Sequence, residues 1–218
     1  MSGIVWKTAL AGVFGAIACV AAPGSALAHP HVWVEVRSEF VFGADGSIAA
    51  VRHHWTFDDM YSSFAIQGLG KDGVPIDKAL KALAKVNVTQ LAEYGFFTSL
   101  KIGGKDAKFA TAEDANITMN DKKIITLHFT AKLEKPVKPT PVAVLKVVDP
   151  TYFVAFDFAK KDPVTLASAP KGCSLTVVKP KPLTLQDAKR LEAVKGTNDS
   201  PGEVFGFKLA TSAIAACP

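Results

Sequence analysis

The chain has 218 residues, with 25 Lys and Arg against 20 Asp and Glu and a formal net charge of +5. These charges are scattered, with neither a long basic run nor interleaved arginines and aromatics, so the composition argues against nucleic-acid binding. A chain of this length can bury one substantial hydrophobic core or two small ones.

Residues 1–28 have the pattern of a secretory signal peptide. Lys7 precedes an uncharged apolar run over residues 8–23, and small residues lead up to Ala28. A charged start, an apolar core and a small-residue site are typical of export signals. The run of about 16 residues is shorter than the roughly 20 that span a bilayer. We therefore expect cleavage after Ala28 and a periplasmic mature protein, residues 29–218, without a membrane-spanning segment.

Cysteine usage agrees with export. Cys19 lies in the leader, so the mature chain keeps Cys173 and Cys217. An even pair in an oxidising compartment favours a disulfide. The bond would close a loop of about 45 residues, which stabilises the fold by roughly 4 kcal/mol in the chain-entropy model. Thiol ligation of a metal is the alternative, but the two residues lack metal-site spacing.

The first half of the mature chain predicts a hairpin followed by a helix. Strict alternation predicts a strand over residues 31–42, and residues 43–46 have the composition of a turn. A second strand over residues 47–57 would complete an antiparallel hairpin. Apolar residues at helical spacing predict one helix, or two short ones, over residues 76–94, and Gly95 is a suitable stop.

Beyond Gly95 the pattern returns to strands. Turn residues separate predicted strands at residues 97–102, 107–109, 124–133, 142–148, 152–158 and 175–178. Thr184, followed by Asp187, predicts a capped helix to Val194, and the last apolar run, residues 205–216, fits either type. We therefore expect an α+β, mostly antiparallel fold, a sandwich-like domain with one central helical segment and a late helix. Two small subdomains divided near residues 75–95 are the alternative.

Cleavage after Ala28 would place two histidines at the new amino terminus. His29 offers an α-amine and an imidazole, and His31 adds a second imidazole. Zinc, nickel and copper favour such nitrogen ligands. Pro30 has no amide proton, so the usual square-planar chelate through the amide of the second residue is blocked. Further ligands must come from elsewhere in the fold.

The hairpin register suggests where those ligands lie. If Phe42 faces Ser47, paired residue numbers sum to about 89, and His31 then faces Asp58. A one-residue slip would exchange Asp58 for Asp59. The alternative is that the two carboxylates cap a turn.

We therefore predict a zinc or nickel site, with copper as a further candidate, in a cluster of histidines and carboxylates. Its members are His29, His31 and Asp58, with Asp59 and His54 in reserve. His128 is a weaker candidate. His53 shares a strand face with Trp55, which favours a structural role.

Motifs for catalysis are absent from the sequence. It contains no glycine-rich phosphate loop and no serine in a nucleophile elbow. The mature cysteines are expected to pair with each other. We therefore expect a binding protein rather than an enzyme.

Several segments resemble domain-of-unknown-function family 1007. They are His29-Pro30-His31-Val32-Trp33, Trp55-Thr56-Phe57-Asp58, Tyr94-Gly95-Phe96-Phe97, Asp149-Pro150-Thr151-Tyr152-Phe153-Val154 and the late Cys173. The resemblance spans nearly the whole mature chain and implies a periplasmic component of an uncharacterised ABC-type transport system. Genes of such proteins often lie near nickel/cobalt-type or zinc-related transporters, so a membrane metal transporter is the expected partner.

The chain departs from this family at one segment. Relatives often carry an acidic Asp-x-Asp-x-Asp-Gly stretch that resembles a calcium loop, whereas here only Asp72 and Gly73 remain and Lys71 adds a positive charge. Calcium needs several oxygen ligands, so we expect no calcium site. The competing functions are a secreted interaction module without metal and a small-solute-binding transporter component.

Overall fold

The computed structural model describes residues 30–139, 141–194, 201–202 and 204–218. The leader and His29 lie outside these residues. The helices are α1 (Asp59–Ile66), α2 (Ile76–Ala92), α3 (Leu185–Ala193) and α4 (Phe205–Leu209). The strands are β1 (Val32–Phe42), β2 (Ile48–Phe57), β3 (Thr98–Ile102), β4 (Lys105–Ala107), β5 (Phe109–Met119), β6 (Ile125–Val137), β7 (Val142–Val147), β8 (Val154–Phe158), β9 (Val164–Ala167), β10 (Ser174–Val178) and β11 (Ser212–Ala216). No helix in the described part of the chain is long and apolar enough to cross a bilayer.

Two sheets form the framework. The six-stranded sheet has the order β5-β6-β2-β1-β8, with β9 also paired to β1, and the five-stranded sheet has the order β10-β11-β7-β3-β4. All pairs are antiparallel except β8 and β9, which both run parallel to β1. The predicted α+β, mostly antiparallel fold is confirmed.

Alternation along the strands creates the core. In β1, Val34, Val36 and Phe40 are buried, while Glu35 and Arg37 face outward, because successive side chains point to opposite faces. One half of this inner face packs on the five-stranded sheet, and the other half is covered by α2. The six-stranded sheet therefore has a covered inner face and an open outer face.

The disulfide closes the far end of the molecule. Cys173 and Cys217 are bonded to each other, as the sequence predicts. They flank the paired strands β10 and β11, in which Ser174 faces Ala216. The bond thereby anchors the carboxyl-terminal strand to its neighbour.

The β1–β2 turn is tighter than the predicted turn over residues 43–46. Gly43 donates its backbone N–H to Ser47 O at 2.8 Å. Asp45 accepts from both the N–H and the hydroxyl of Ser47, and Gly46 takes a positive φ of 77°, which glycine adopts without strain. The turn thus contains three residues between Gly43 and Ser47, whereas the predicted pairing of Phe42 with Ser47 leaves four.

A register shift between Val41 and Phe42 adds to this offset. As a result, Asp58 donates its backbone N–H to Trp33 O at 3.0 Å. The prediction that His31 faces Asp58 is therefore wrong, because the tighter turn and the bulge each move the pairing by one residue.

Helix α2 is one continuous helix, as one of the two alternatives predicts. The sequence pattern did not predict α1 or β9, and the strand predicted at residues 107–109 covers only the end of β4 and the first residue of β5. Helix α1 is short and depends on a tertiary contact, in which the buried Ser62 hydroxyl accepts the Ile125 N–H at 3.2 Å.

Strand β5 is a mostly exposed edge with a register shift around Asp114, whose φ is 56°, so it lacks clean alternation. The final apolar run divides into α4 and β11.

His53 is fully buried between the two sheets. Its Nδ1 lies 2.9 Å from Ser38 Oγ and its Nε2 lies 3.2 Å from Thr98 Oγ1. The Thr98 hydroxyl donates to Phe96 O at 2.7 Å, so it must accept from Nε2–H, and Nδ1 accepts from Ser38. Burial, with a smaller contribution from His54, lowers the pKa of His53 to about 3. The imidazole is therefore neutral, and its hydrogen bonds link β1 to β3.

His53 should make the fold sensitive to mild acid. Its pKa falls from 6.5 to about 3 on folding. Between these two pH values, His53 is therefore protonated in the unfolded chain and neutral in the folded chain. The free energy of unfolding should drop by about 2 kcal/mol between pH 7 and pH 5 on this account. Urea denaturation at both pH values measures the drop. The His53→Gln variant should show a smaller pH dependence, and an unchanged dependence would contradict this role.

Candidate functional site

An aromatic cavity of about 240 Å³ lies between α2 and the six-stranded sheet. Four of the segments that carry the family resemblance meet in its wall. They contribute Val32, Trp55, Phe57, Tyr94, Phe97 and Phe153. These residues are far apart in the sequence, so the fold assembles them into one site.

Trp55 gives this cavity a polar feature. The indole is 2% exposed and packs edge-on against Phe129 at 5.0 Å between ring centroids. Its Nε1–H has no hydrogen-bond partner among the described residues. A buried donor without a partner costs about 1–3 kcal/mol. One of the residues that line the cavity therefore carries a buried hydrogen-bond donor without a described partner.

Asn87 and Gln90 of α2 add amide groups to the same wall. Tyr61 stacks on Phe57 with ring centroids 4.5 Å apart. Burial raises the pKa of the Tyr61 phenol, and the nearby Asp58 charge acts in the same direction. The phenol is therefore neutral and available as a hydrogen-bonding group.

Asp149 holds the turn that brings Phe153 to the cavity. Its carboxylate is 5% exposed and accepts the Thr151 N–H at 2.9 Å, the Thr151 hydroxyl at 2.8 Å and the Val154 N–H at 3.0 Å. Gly206 of α4 packs against this turn so closely that a Cβ there would overlap Asp149 O. Asp149 therefore has a positioning role, which sequence reasoning did not assign.

His31 lies at the rim of the cavity. It donates its backbone N–H to Phe153 O at 2.9 Å, and its ring centroid is 4.6 Å from that of Phe153. The imidazole is held at the start of the sheet, two residues after the predicted first residue of the mature chain. His29 lies outside the described residues, so the terminal metal cluster stays a prediction.

Asp58 caps α1 and also binds β1. One carboxylate oxygen accepts the Tyr61 N–H at 2.8 Å, and the other accepts the Trp33 N–H at 2.7 Å. This is the capping role that the sequence analysis kept as an alternative. Asp59 occupies the first turn of α1 and is exposed.

His54 lies away from the cavity, on the outer face of the six-stranded sheet. Its Nδ1 is 2.7 Å from Nδ1 of His128 on β6. The sequence does not indicate this pair, because the β2–β6 pairing joins residues 74 positions apart. Within the described residues, no group of three or more His, Cys, Asp or Glu side chains is arranged to hold a metal ion.

The two neighbouring carboxylates should differ in their effect on stability. Asp58→Ala removes a helix cap and the acceptor for the Trp33 N–H, so the free energy of unfolding should fall by about 2 kcal/mol. Asp59→Ala is the matched control and should cost less than about 1 kcal/mol, since it loses only a favourable helix-dipole interaction. Urea denaturation of both variants tests this difference. Equal losses would show that the cap is not the role of Asp58.

Comparison with known proteins identifies a family whose model matches this chain. A family model described as "Protein of unknown function (DUF1007)" matches residues 14–217. The chain is also similar to an uncharacterised protein of Haemophilus influenzae (strain ATCC 51907 / DSM 11121 / KW20 / Rd). The two are 23% identical over 188 residues, which cover 84% of this chain and 90% of that protein.

Proposed function

The chain belongs to the DUF1007 family, and we propose that it is a periplasmic, non-enzymatic accessory of a transition-metal transport system. In this proposal the mature amino terminus binds zinc or nickel, with copper as a further candidate. The partner is a membrane metal transporter. Support for export comes from the leader pattern of residues 1–28 and from the disulfide between Cys173 and Cys217, a bond typical of oxidising compartments.

The position of His31 carries the proposal. A backbone hydrogen bond and a ring contact to Phe153 restrain this histidine at the edge of the sheet. A restrained ligand loses less conformational entropy when it binds a metal than a freely moving one does. His31 is therefore a suitable anchor for a metal that also uses the chain terminus.

His29 is within reach of the same ion. Consecutive Cα atoms are about 3.8 Å apart, so two residues span at most about 7 Å. The α-amine and imidazole of His29 and the imidazole of His31 would supply three nitrogen ligands. Such ligands suit zinc, nickel and copper.

A carboxylate would complete the site. Asp58 already accepts two backbone N–H groups, so its use as a ligand would compete with the α1 cap. Asp59 follows directly and is exposed. We therefore favour Asp59 over Asp58 as the oxygen ligand, with water as the alternative.

Metal titration of two versions of the mature protein tests this site. One begins at His29, and the other carries Ala-Pro before it, which converts the α-amine of His29 into an amide and, through the proline, prevents a new chelate at the terminus. Both carry His128→Gln, so that the His54–His128 pair does not contribute. Loss of a ligand should weaken zinc or nickel affinity at least about tenfold.

Calorimetry gives the affinity and the stoichiometry of each version. A His31→Gln variant that begins at His29 is the matched control and should also bind weakly. Equal affinities with and without the added Ala-Pro would exclude the α-amine of His29 as a ligand. If none of the versions binds metal, the terminal site does not exist.

The aromatic cavity supports a second candidate function, binding of a small solute. Its volume of about 240 Å³ suits a ligand smaller than the drug-sized molecules that fill sites of roughly 300–1,000 Å³. The predominantly aromatic and aliphatic wall and the unpartnered Trp55 Nε1–H favour an apolar ring that carries one hydrogen-bond acceptor. Export and transport would then concern an organic solute instead of a metal.

Benzaldehyde, an aromatic ring with one carbonyl acceptor, is a suitable probe. Its addition should move the Trp55 indole N–H resonance in ¹⁵N–¹H NMR spectra, because that proton gains an acceptor. Trp33 is 47% exposed and provides an internal control whose resonance should stay in place. Equal movement of both resonances, or of neither, would contradict a site in the cavity.

A further inference from the structure

His54 and His128 form a cross-strand pair in the middle of the six-stranded sheet. They face each other directly across β2 and β6. The Nδ1 atoms are 2.7 Å apart, and the ring planes meet at 64°. Both side chains are half-buried on the open face of the sheet. Two paired strands, rather than a loop, therefore fix the distance between the imidazoles.

A hydroxyl group orients one of the two rings. Thr118 Oγ1 on β5 lies 2.8 Å from Nε2 of His128. An oxygen on the far nitrogen of an imidazole is the usual outer contact of a metal-binding histidine, because it holds the ring with its other nitrogen toward the metal. The next pair of residues along the same strands, Thr56 and Thr126, joins hydroxyls at 3.0 Å and provides no competing ligand of high affinity.

The nearby charges are balanced. Arg37 and Arg52 interact electrostatically with His54 and would repel a cation if they were unpaired. However, Arg37 forms a salt bridge with Glu35 at 2.9 Å, and Arg52 forms one with Glu39. Each cation thus has a carboxylate partner on the same face.

Both imidazoles are neutral at pH 7. Burial is the main reason that the pKa of each is lowered, with Arg52 adding to the effect for His54 and His54 adding to it for His128. Since metals bind the unprotonated nitrogen, no proton has to be removed from an imidazolium before binding.

We propose that His54 and His128 bind one divalent late transition-metal ion, Cu²⁺ or Ni²⁺, through their Nδ1 atoms. Water completes the coordination. This site goes beyond the proposed terminal site, because it uses only side chains within the folded sheet. It does not require His29 or cleavage of the leader.

The distance between the two Nδ1 atoms favours square-planar over tetrahedral coordination of the metal. With metal–nitrogen bonds of about 2.0 Å, two nitrogens at a right angle lie about 2.8 Å apart, whereas at the tetrahedral angle they lie about 3.3 Å apart. The observed 2.7 Å is close to the first value. Square-planar coordination by nitrogen and oxygen is typical of Cu²⁺ and Ni²⁺, and Cu²⁺ is expected to bind more tightly than Ni²⁺ or Zn²⁺.

Protons balance in this step. A neutral imidazole carries one N–H, so in the metal-free pair one Nδ1–H donates to the other Nδ1. On binding, the donating ring moves that proton to its Nε2, and both Nδ1 lone pairs become available. No net proton is released. His128 can then donate Nε2–H to Thr118, which matches the observed contact.

Only two of the four square-planar positions are filled by protein. The others are open to solvent on the exposed face of the sheet. A ligand from another protein could occupy them and remove the ion. This arrangement suits transfer of a metal rather than permanent storage, in agreement with an accessory of a transport system.

Copper titration of the mature protein with the dipeptide Ala-Pro added before His29 tests the pair, because the α-amine of His29 is then an amide and the proline at the new second position cannot supply the amide nitrogen of a terminal chelate. We expect one Cu²⁺ per chain, with two imidazole nitrogens in its electron paramagnetic resonance spectrum. Either His54→Gln or His128→Gln should weaken binding at least about tenfold. Thr126→Val is the matched control on the same face and should leave the affinity unchanged.

Two results would overturn the proposal: no copper binding by the unsubstituted protein, or equal binding by the histidine variants. If a histidine variant fails to fold, NMR on the unsubstituted protein replaces it. Cu²⁺ should then broaden the ring resonances of His54 and His128 first, and broadening elsewhere would exclude the pair. A negative result for the sheet pair would not count against the proposed terminal site, because metal binding at that site is measured with His128→Gln already in place.

Discussion

The pairing of β1 with β2 puts two adjacent histidines on opposite faces of one sheet. His53 faces Ser38 inside the core, and His54 faces Arg37 on the outer surface. A shift by one residue would bury the wrong imidazole and expose the other, because side chains alternate along a strand. The three-residue turn and the bulge after Val41 set this register. The same register brings the end of β2 beside the start of β1, where α1 begins.

The buried polar side chains of this fold differ in whether their hydrogen-bonding groups have partners. His53 satisfies both ring nitrogens through hydroxyls on two strands and thereby joins the sheets. Asp149 satisfies its carboxylate within one turn. Trp55 belongs to the same core but leaves its indole N–H without a described partner. Trp55 also lines the aromatic cavity.

The two candidate metal sites lie in different parts of the fold and use different ligands. His31 lies at one end of the six-stranded sheet beside the aromatic cavity, whereas His54 and His128 lie on its open face. The terminal site depends on cleavage of the chain, because only a free α-amine can bind metal. The sheet pair depends only on folding. A transport accessory with both could hold one ion at its terminus and exchange another across the sheet.

The sequence by itself determined the period-2 strands, helix α2, the Thr184 cap and the partners Cys173 and Cys217, since each follows from local pattern or composition. It also identified the segments that build the cavity, without indicating that they meet. Tertiary structure alone decided the hairpin register, the capping role of Asp58 and the pairing of His54 with His128. The physical reason is that turn length and bulges change strand pairing without changing the hydrophobic pattern. Contacts between residues distant in sequence depend on that pairing.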